Sequence, residues 1–342
     1  YILSVGAPGN DAGCSDCGAV YVYERVDSKW SDTSTYIAKL TTSDGEYGDG
    51  LGRAIALDAD GCTLAAGAPW NDSICSDCGA VYLFKRPYEG WGTATQDVKL
   101  TASDATEAED VFLGNRLAFS GDGTTLAAGV PHYGWSRGGV YLYTRPDEGW
   151  VTTIETAKLT VVDSEELDFL GLSVALSADG RTLVAGAPGG SPSGVGVAYL
   201  YERPDEGWMT ATEDAKLTAS DAWDNVLLGR SVALSADGIT VAAGAPYNDA
   251  GGDKRGAAYI YTRPSAGWPG SAVFSAKLTA SDGQDKDFLG RSVALSSDGS
   301  TLAVGAPYHN LAGDNRGAVY VYERPPAGWT TATQSAKLTA SD

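Results

Sequence analysis

The feature that most constrains the fold is a tandem repeat that runs through the whole chain. Its landmark is a Gly-Ala-Pro or close variant, followed each time by a tyrosine-rich segment, a tryptophan and a Lys-Leu-Thr. The landmark glycines recur at intervals of 57 to 62 residues, as Gly6, Gly67, Gly129, Gly186, Gly244 and Gly305. A regular period of this length is typical of a propeller or a solenoid rather than of an enzyme built from two unlike domains.

Each repeat has the pattern of four short strands, which is clearest in the last one. Residues 290–296 and 301–307 flank a Ser-Ser-Asp-Gly turn, as in a tight hairpin. Residues 317–324 alternate aromatic and branched side chains until Pro325, and residues 335–339 form the fourth strand. No segment has a sustained apolar period of 3.6 residues, so the sequence predicts essentially no helix.

These patterns predict an all-β fold, a β-propeller of four-stranded antiparallel blades that forms a single domain over residues 1–342. Six repeats can be counted, five complete and one lacking its first strand; seven blades are the alternative if sequence is missing. Their approximate bounds are 1–44, 45–104, 105–163, 164–221, 222–282 and 283–342. We expect the six landmark glycines to lie where neighbouring strands approach too closely for a Cβ.

The first repeat begins directly at its second strand, residues 2–8. The edge of that strand near the axis would therefore be open to pairing. Two explanations are open: the natural chain extends beyond Asp342, or another segment or subunit supplies the missing strand. Residues 2–8 paired on both sides within one chain would contradict both explanations.

Three segments of the last repeat carry a family resemblance: Leu289-Gly-Arg-Ser-Val-Ala, Leu302-Ala-Val-Gly-Ala-Pro and Gly317-Ala-Val-Tyr-Val-Tyr. Together they resemble the FG-GAP repeat, the blade unit of integrin α-subunit propellers and of many secreted and surface proteins. The resemblance implies an extracellular binding protein, and the scarcity of catalytic motifs described below predicts that it is not an enzyme. The chain departs from the family by having leucine in place of the Phe of Phe-Gly, at Leu51, Leu113, Leu170, Leu228 and Leu289.

The calcium loop that integrin-type blades carry between strands one and two is missing as well. Short turns such as residues 178–180, Ala-Asp-Gly, stand in its place and have too few carboxylates to surround a Ca²⁺ ion. Calcium at the usual place in the family is therefore not expected in this chain.

The chain is strongly acidic, with 44 Asp and Glu against 24 Lys and Arg and a net charge of −20. Nucleic acid is excluded as a partner because no basic stripe remains to neutralise phosphates. No apolar run approaches the roughly 18 residues of a membrane span. Together with the resemblance, these features predict a secreted or cell-surface protein that binds an extracellular protein or glycan, or associates with itself.

Because the strands alternate in direction, many acidic residues lie at one end of the blades. They lie in the loops between the second and third strands (2–3 loops) and in the loops from a fourth strand to the first strand of the next repeat (4–1 loops). The resemblance implies that this face binds ligands. The candidate residues on it are Asp44, Asp49, Asp104, Asp110, Asp163, Asp168, Asp221, Asp224, Asp282 and Asp287. No cofactor is expected except calcium, for which the spacing favours the pairs Asp163 with Asp168 and Asp282 with Asp287. The alternative is that these aspartates are solvated turn residues, present for backbone reasons.

Two Cys-Ser-Asp-Cys motifs occupy the same position in consecutive repeats, as Cys14 with Cys17 and Cys75 with Cys78. Local disulfides in an oxidising compartment are one interpretation. A shared zinc ion is another, although equivalent loops of neighbouring blades would have to converge on it, and a redox role is a third. Cys62 lies too far along the blade to reach the other four, so we expect a buried free thiol or an intermolecular link.

Catalytic motifs are scarce. The two histidines, His132 and His309, lie in 2–3 loops and are expected to be solvated turn residues. Asn71 begins a glycosylation sequon, Asn-Asp-Ser, in a loop expected to be exposed. The six repeated tryptophans are expected to pack the blades. Three hypotheses follow: an adhesion or ligand-binding module, a structural subunit of an extracellular filament or assembly, and a propeller enzyme acting on glycans.

Overall fold

The computed structural model describes residues 1–11, 13–25, 35–106, 111–190, 194–221, 225–249, 251–311 and 314–340, with side chains except at 311, 314 and 315. Within these residues the chain is all-β, and its helix is confined to one four-residue turn, Tyr133–Ser136 (α1), in which two residues have non-helical dihedral angles. The prediction of an all-β fold with almost no helix is confirmed.

The strands follow the predicted repeat. In chain order, the first three sheets contain β1 (Ile2–Ala7), β2 (Ala19–Glu24), β3 (Ala38–Thr41), β4 (Ile55–Leu57), β5 (Thr63–Ala68), β6 (Ala80–Lys85), β7 (Ala94–Thr95), β8 (Val98–Thr101), β9 (Arg116–Phe119), β10 (Thr125–Gly129), β11 (Val140–Thr144), β12 (Thr153–Ile154) and β13 (Ala157–Leu159). The remaining strands are β14 (Ser173–Leu176), β15 (Thr182–Ala187), β16 (Val197–Glu202), β17 (Ala215–Thr218), β18 (Ser231–Leu234), β19 (Thr240–Ala245), β20 (Ala257–Thr262), β21 (Ser271–Val273), β22 (Ala276–Thr279), β23 (Ser292–Leu295), β24 (Thr301–Ala306), β25 (Asn310–Leu311), β26 (Asp314–Asn315), β27 (Ala318–Glu323), β28 (Ala332–Thr333) and β29 (Ala336–Leu338).

Each complete sheet has its four main strands in chain order and antiparallel, as in β14-β15-β16-β17 and β23-β24-β27-β29. The first sheet begins instead with β1, which pairs with β2 alone. The prediction that residues 2–8 form an edge strand is therefore confirmed. Strands β25 and β26 form a small separate hairpin in the loop after β24.

A connection that the sequence did not reveal links each sheet to the next at the outer edge. Strands β7, β12, β21 and β28 each pair in parallel with the fourth strand of the preceding sheet, namely β3, β8, β17 and β22. A single bridge from Ala211 to Leu159 makes the same connection between the third and fourth sheets. The outer edge of each of the first five sheets is thus covered by residues that belong to the following repeat.

In the described part of the chain, five hydrophobic cores lie between the six sheets, one at each joint between neighbours. A typical joint packs Leu217 and Val184 of the fourth sheet against Tyr259 and Tyr261 of the fifth. Tryptophans 91, 150, 208 and 329 are buried in these cores, and Trp268 packs on one of them, as predicted. The first tryptophan, Trp30, lies outside the described residues. Among those residues, no core joins the sixth sheet to the first.

The landmark glycines confirm the expected close approach at five of six positions. A Cβ on Gly6, Gly67, Gly129, Gly186 or Gly244 would overlap the carbonyl group of a glycine that lies just before the first strand of the next sheet. Gly305, in the sixth sheet, would meet only the Ser292 hydroxyl of its own sheet. The close approach is therefore a property of the joints between sheets, and no further sheet of the described chain follows the sixth glycine.

Candidate binding face

Antiparallel strand order brings two sets of loops to the same end of the sheets, which we call the loop face. The loops after the fourth strands are residues 42–54, 102–115, 160–172, 219–230 and 280–291. The loops between second and third strands are residues 8–18, 69–79, 130–139, 188–196, 246–256 and 307–317. Adjacent loops are joined by isolated parallel bridges, such as Gly196 with Leu228 and Gly256 with Leu289. The loop face is therefore a connected surface rather than a set of separate turns.

Five of the predicted face residues form one repeated contact between neighbouring sheets, which we call the Tyr–Asp–Lys contact. Each aspartate follows a fourth strand and accepts hydrogen bonds from a tyrosine and a lysine of the next sheet. For Asp221, the Tyr259 hydroxyl lies at 3.0 Å and the Lys277 Nζ at 2.7 Å. The other four sets are Asp44 with Tyr82 and Lys99, Asp104 with Tyr141 and Lys158, Asp163 with Tyr199 and Lys216, and Asp282 with Tyr320 and Lys337.

The Tyr–Asp–Lys contact has a clear electrostatic effect. The hydrogen bond from Lys216 lowers the pKa of Asp163, with the Lys216 charge and the Tyr199 hydroxyl adding to it. Burial would raise the pKa of Asp282, but hydrogen bonds from Lys337 and Tyr320 outweigh it and the pKa is lowered. Asp163 and Asp282 are thus ionised partners within the fold. Their predicted role in ligand binding remains a prediction.

A second set of predicted face residues is buried. Asp49, Asp168 and Asp287 are 1–2% exposed, and each accepts the backbone N–H of the residue three positions earlier. Burial raises the pKa of Asp49 and of Asp168. In the other two loops the position is taken by buried valines, Val111 and Val226. The predicted residues Asp110 and Asp224 lie outside the described residues.

The expectation that His309 is a solvated turn residue is wrong. Its side chain is 1% exposed, with Nδ1 at 2.8 Å from a carboxylate oxygen of Asp287 and Nε2 at 2.7 Å from the Nζ of Lys337. Because an ammonium can only donate, Nε2 accepts and Nδ1–H donates to Asp287. The histidine is thus held in a charged network between the loop and the fourth strand of the sixth sheet.

His132 lies between two aromatic rings, with Phe112 at 5.2 Å and Phe169 at 5.6 Å between ring centroids. Neither histidine lines the cavity between the inner strands. The arrangement that would favour the enzyme hypothesis, a histidine with carboxylates around that cavity, is therefore not seen in the described residues.

The two predicted calcium pairs are each tied to a lysine. Asp163 accepts from Lys216 and Asp282 accepts from Lys337, while their partners Asp168 and Asp287 are buried. Among the described residues, no group of three or more His, Cys, Asp or Glu side chains is arranged to hold a metal ion. A cation at either pair would have to displace the lysine ammonium.

The cysteines lie as predicted in pairs. Cys14 and Cys17 have their Cα atoms 5.5 Å apart, and Cys75 and Cys78 have theirs 5.4 Å apart, both within the usual range for disulfides. Cys62 is separate from both pairs, but it is exposed rather than buried. The local pairing also argues against a zinc ion shared between the two loops.

Asn71 differs from its expected exposure. The side chain is buried, donates to Asp49 at 2.9 Å and accepts from Lys99 at 3.2 Å. Glycosylation at this position remains a prediction, and it would require the amide to leave these partners.

Exposed aromatic side chains on the loop face were not anticipated from the sequence. Tyr47, Trp135 and Tyr308 are 78%, 79% and 53% exposed, and Trp70 is 38% exposed. All four lie in the loops that form this face. In the sequence they are aromatic residues near the Gly-Ala-Pro landmark or within a 4–1 loop. Their positions differ from one repeat to the next, so they do not stand out as a motif.

Within the described residues, six sheets whose four or three main strands are antiparallel follow one another along the chain, and they define an all-β repeat protein. A family model described as FG-GAP repeat matches residues 35–84, 153–201, 211–261 and 273–322, together more than half of the chain. The chain therefore belongs to the FG-GAP repeat family, as the resemblance implied. Each match starts at or just before a fourth strand and ends within the third strand of the next sheet. A comparison with curated proteins gives no match.

Among the described residues, no helix has the length and the apolar character that crossing a membrane requires.

Proposed function

We propose that this protein is a single-domain β-propeller over residues 1–342 that acts outside the cell as a non-catalytic binding or adhesion module. Its ligand, a protein or a glycan, binds at the loop face. The observation that carries the proposal is the combination of exposed aromatic rings with exposed carboxylates on that one face. The FG-GAP family membership and the absence of a catalytic arrangement among the described side chains support it.

The aromatic rings supply the binding energy in this proposal. Tyrosine and tryptophan dominate contact energies where they become buried in an interface. Tyr308 is held in place by a neighbour: Phe288 contacts it and also Tyr247, with ring centroids at 5.4 and 5.1 Å. Rings fixed in this way lose little conformational freedom on binding.

The carboxylates supply selectivity. Those free to meet a ligand are exposed ones outside the Tyr–Asp–Lys contacts, such as Glu46, Asp72, Glu165 and Glu166. They favour ligands that carry cationic or hydrogen-bond donor groups, including sugar hydroxyls. The predicted set of aspartates thus organises the face, and neighbouring acids contact the ligand.

The test is binding of the purified protein to arrays of glycans and extracellular matrix proteins. Trp135→Ala and Tyr308→Ala remove exposed rings from the loop face, and Tyr88→Ala removes a fully exposed ring from a loop at the other end of the sheets. We expect the first two variants to lose at least ten-fold in affinity for any ligand found, and Tyr88→Ala to bind normally. Equal loss in all three variants, or loss only in Tyr88→Ala, would overturn the proposal.

Calcium in the 4–1 loops is a separate part of the proposal. The proposed calcium sites are Asp163 with Asp168 and Asp282 with Asp287. We expect titration of the wild type with CaCl₂ to give saturable heat, and we expect that heat to be absent in the variant that alters the occupied site, Asp163→Asn or Asp282→Asn. No heat in the wild type, and a melting temperature unchanged by chelator, would contradict it.

One observation favours the second candidate function, a structural subunit that associates with itself. The outer faces of the first and sixth sheets carry exposed apolar side chains, Leu3 and Val5 on one and Val319 and Leu338 on the other. The five internal joints pack the same two kinds of face against each other. A second copy of the chain offers a matching face: placed head to tail, its first sheet would cover the sixth sheet of its neighbour.

Sedimentation velocity over a range of protein concentrations tests this alternative. We expect concentration-dependent growth of the wild type, suppressed in Val319→Asp and in Val5→Asp but not in Tyr88→Ala. A monomer at all concentrations would exclude self-association without bearing on ligand binding at the loop face.

A further inference from the structure

The inner strands of the sheets surround a cavity of about 380 Å³ that is lined by four arginines. Arg116 begins β9, and Arg53, Arg230 and Arg291 lie one or two residues before β4, β18 and β23. First strands of neighbouring sheets contact one another, so these side chains converge from four different sheets. We call this set the arginine hub. It lies at the loop-face end of the inner strands, because each first strand starts directly after a 4–1 loop.

The arginine hub lacks acidic partners in the described part of the chain. None of its four arginines forms an ion pair with a carboxylate of the described residues, although the chain carries 44 acidic residues in all. Lysines of the fourth strands, by contrast, are paired with Asp in sheet after sheet. In a protein with a net charge of −20, four such cations at one place are not a consequence of composition.

The four charges act on one another. Burial and then the charges of Arg53, Arg230 and Arg291 lower the pKa of Arg116 to about 10. Burial and the charge of Arg291 lower the pKa of Arg230 in the same way. Charged guanidinium groups are therefore destabilised in the cavity as it stands, and a bound anion would remove that cost.

We propose that the arginine hub binds a tetrahedral oxyanion, a phosphate or sulfate group. Guanidinium groups present forked donors that match the oxygens of such a group, and groups from four sheets can approach it from several directions. A dianion offsets more of the accumulated positive charge than a carboxylate does. The cavity is at the small end of the range for ligand sites, which fits one anionic group rather than a polyanion.

The surroundings of the hub indicate what can carry the anionic group. Tyr247 lies near enough to Arg230 to influence the pKa of that arginine, and it contacts Phe288 in the chain of rings on the loop face. A sulfated or phosphorylated sugar would place its ring against these aromatics with its ester group in the hub. This carrier rests on the proposed function, whereas the anion site itself does not.

Isothermal titration calorimetry tests the anion site, with sodium phosphate or sodium sulfate injected against sodium chloride at equal ionic strength. We expect saturable heat for the wild type and at least a ten-fold loss of affinity in Arg230→Gln. Arg181→Gln is the control, because Arg181 is exposed in a hairpin at the other end of the sheets and pairs with Asp205. No saturable heat in the wild type, or equal affinity in the two variants, would overturn the proposal.

Thermal unfolding gives a second, independent readout. Since Arg230→Gln removes one of four mutually repelling charges, we expect it to melt at a higher temperature than the wild type in chloride buffer. The wild type should gain stability on adding phosphate as its site fills, and Arg230→Gln should gain less. A lower melting temperature for Arg230→Gln in chloride would contradict the uncompensated repulsion on which the site rests.

A further binding experiment distinguishes a free anion from a sugar ester as the ligand of the arginine hub. If glucose 6-sulfate binds at least ten-fold more tightly than inorganic sulfate, and Tyr247→Ala removes the difference, the carrier is a sugar. If both bind equally, the anion site stands and the sugar carrier is wrong. A failure to find any ligand on the glycan and matrix-protein arrays would therefore leave the hub unaffected.

Discussion

The joint between the fifth and sixth sheets and the outer face of the sixth sheet are built from the same sequence pattern, yet one is closed and the other open. Leu278 is 1% exposed at the joint, and its counterpart Leu338 is 56% exposed on the outer face. Likewise Ala258 is fully buried, whereas Val319 is 38% exposed. The sequence pattern of a strand therefore does not by itself determine whether a side chain is buried, because burial requires that another sheet packs against it. In a chain of this kind, stability resides in the contacts between repeats.

The largest expected difference between the two regions comes from the equivalent leucines. Leu278→Ala removes a side chain buried between two sheets, so we expect a loss of about 2–5 kcal/mol in the free energy of unfolding. Leu338→Ala removes a mostly exposed side chain and should cost less than about 0.5 kcal/mol. Urea denaturation followed by tryptophan fluorescence measures both. Similar losses would show that the outer face of the sixth sheet is covered in solution, as self-association would require.

Two landmark glycines, Gly244 at a joint and Gly305 in the sixth sheet, give a more closely matched comparison of the two regions. Gly244→Ala and Gly305→Ala both place a methyl group near a serine hydroxyl of their own sheet, but only the first also meets a backbone carbonyl, that of Gly290. Backbone cannot move aside as a side chain can, so we expect Gly244→Ala to lose about 1–3 kcal/mol or more. Gly305→Ala should lose much less. Equal denaturation midpoints would mean that the joint relaxes without cost.

These pairs show how much of the molecule can be predicted from its sequence. Strand positions follow from local patterns, so the four strands of the last repeat and the edge position of residues 2–8 were predictable. The glycine prediction succeeded for five positions and failed at Gly305, because close approach depends on a neighbour that a repeat pattern does not place.

The candidate site was predicted less well, for a related reason. The loop face could be located from strand order, but the sequence does not show which acids are already paired. Asp221 is ten residues before the next first strand and 56 residues before Lys277, so their contact exists only once two sheets have packed. The same holds for His309, whose burial depends on Asp287 and Lys337 of other elements.

A smaller effect is expected from the Tyr–Asp–Lys contact. Tyr259 donates to Asp221 and accepts from Asn248, whereas Tyr21 of the first sheet accepts from Asn10 and has no aspartate partner among the described residues. Tyr259→Phe removes a hydrogen bond to a charged group, so we expect a loss of about 1.5–3 kcal/mol at most. Tyr21→Phe should lose about 0.5–1 kcal/mol. Thermal unfolding of both variants measures the difference, and a larger loss in Tyr21→Phe would show that the first sheet has a partner.

The smallest effect concerns pH. Lys216 lowers the pKa of Asp163 below its ordinary value of 3.8, so the stability from this pair is present above that value and is lost as the pH falls through the lowered pKa. Lys216→Met should therefore destabilise the protein at pH 7, and its difference in stability from the wild type should shrink below about pH 4.

Lys39→Met is the control, since Lys39 forms no ion pair with a carboxylate in the part of the chain that the structure describes. Its difference from the wild type should stay constant from pH 7 to pH 3. Melting temperatures across this range measure the effect: parallel curves for the two variants would mean that the Asp163 pair contributes nothing beyond what an unpaired lysine does.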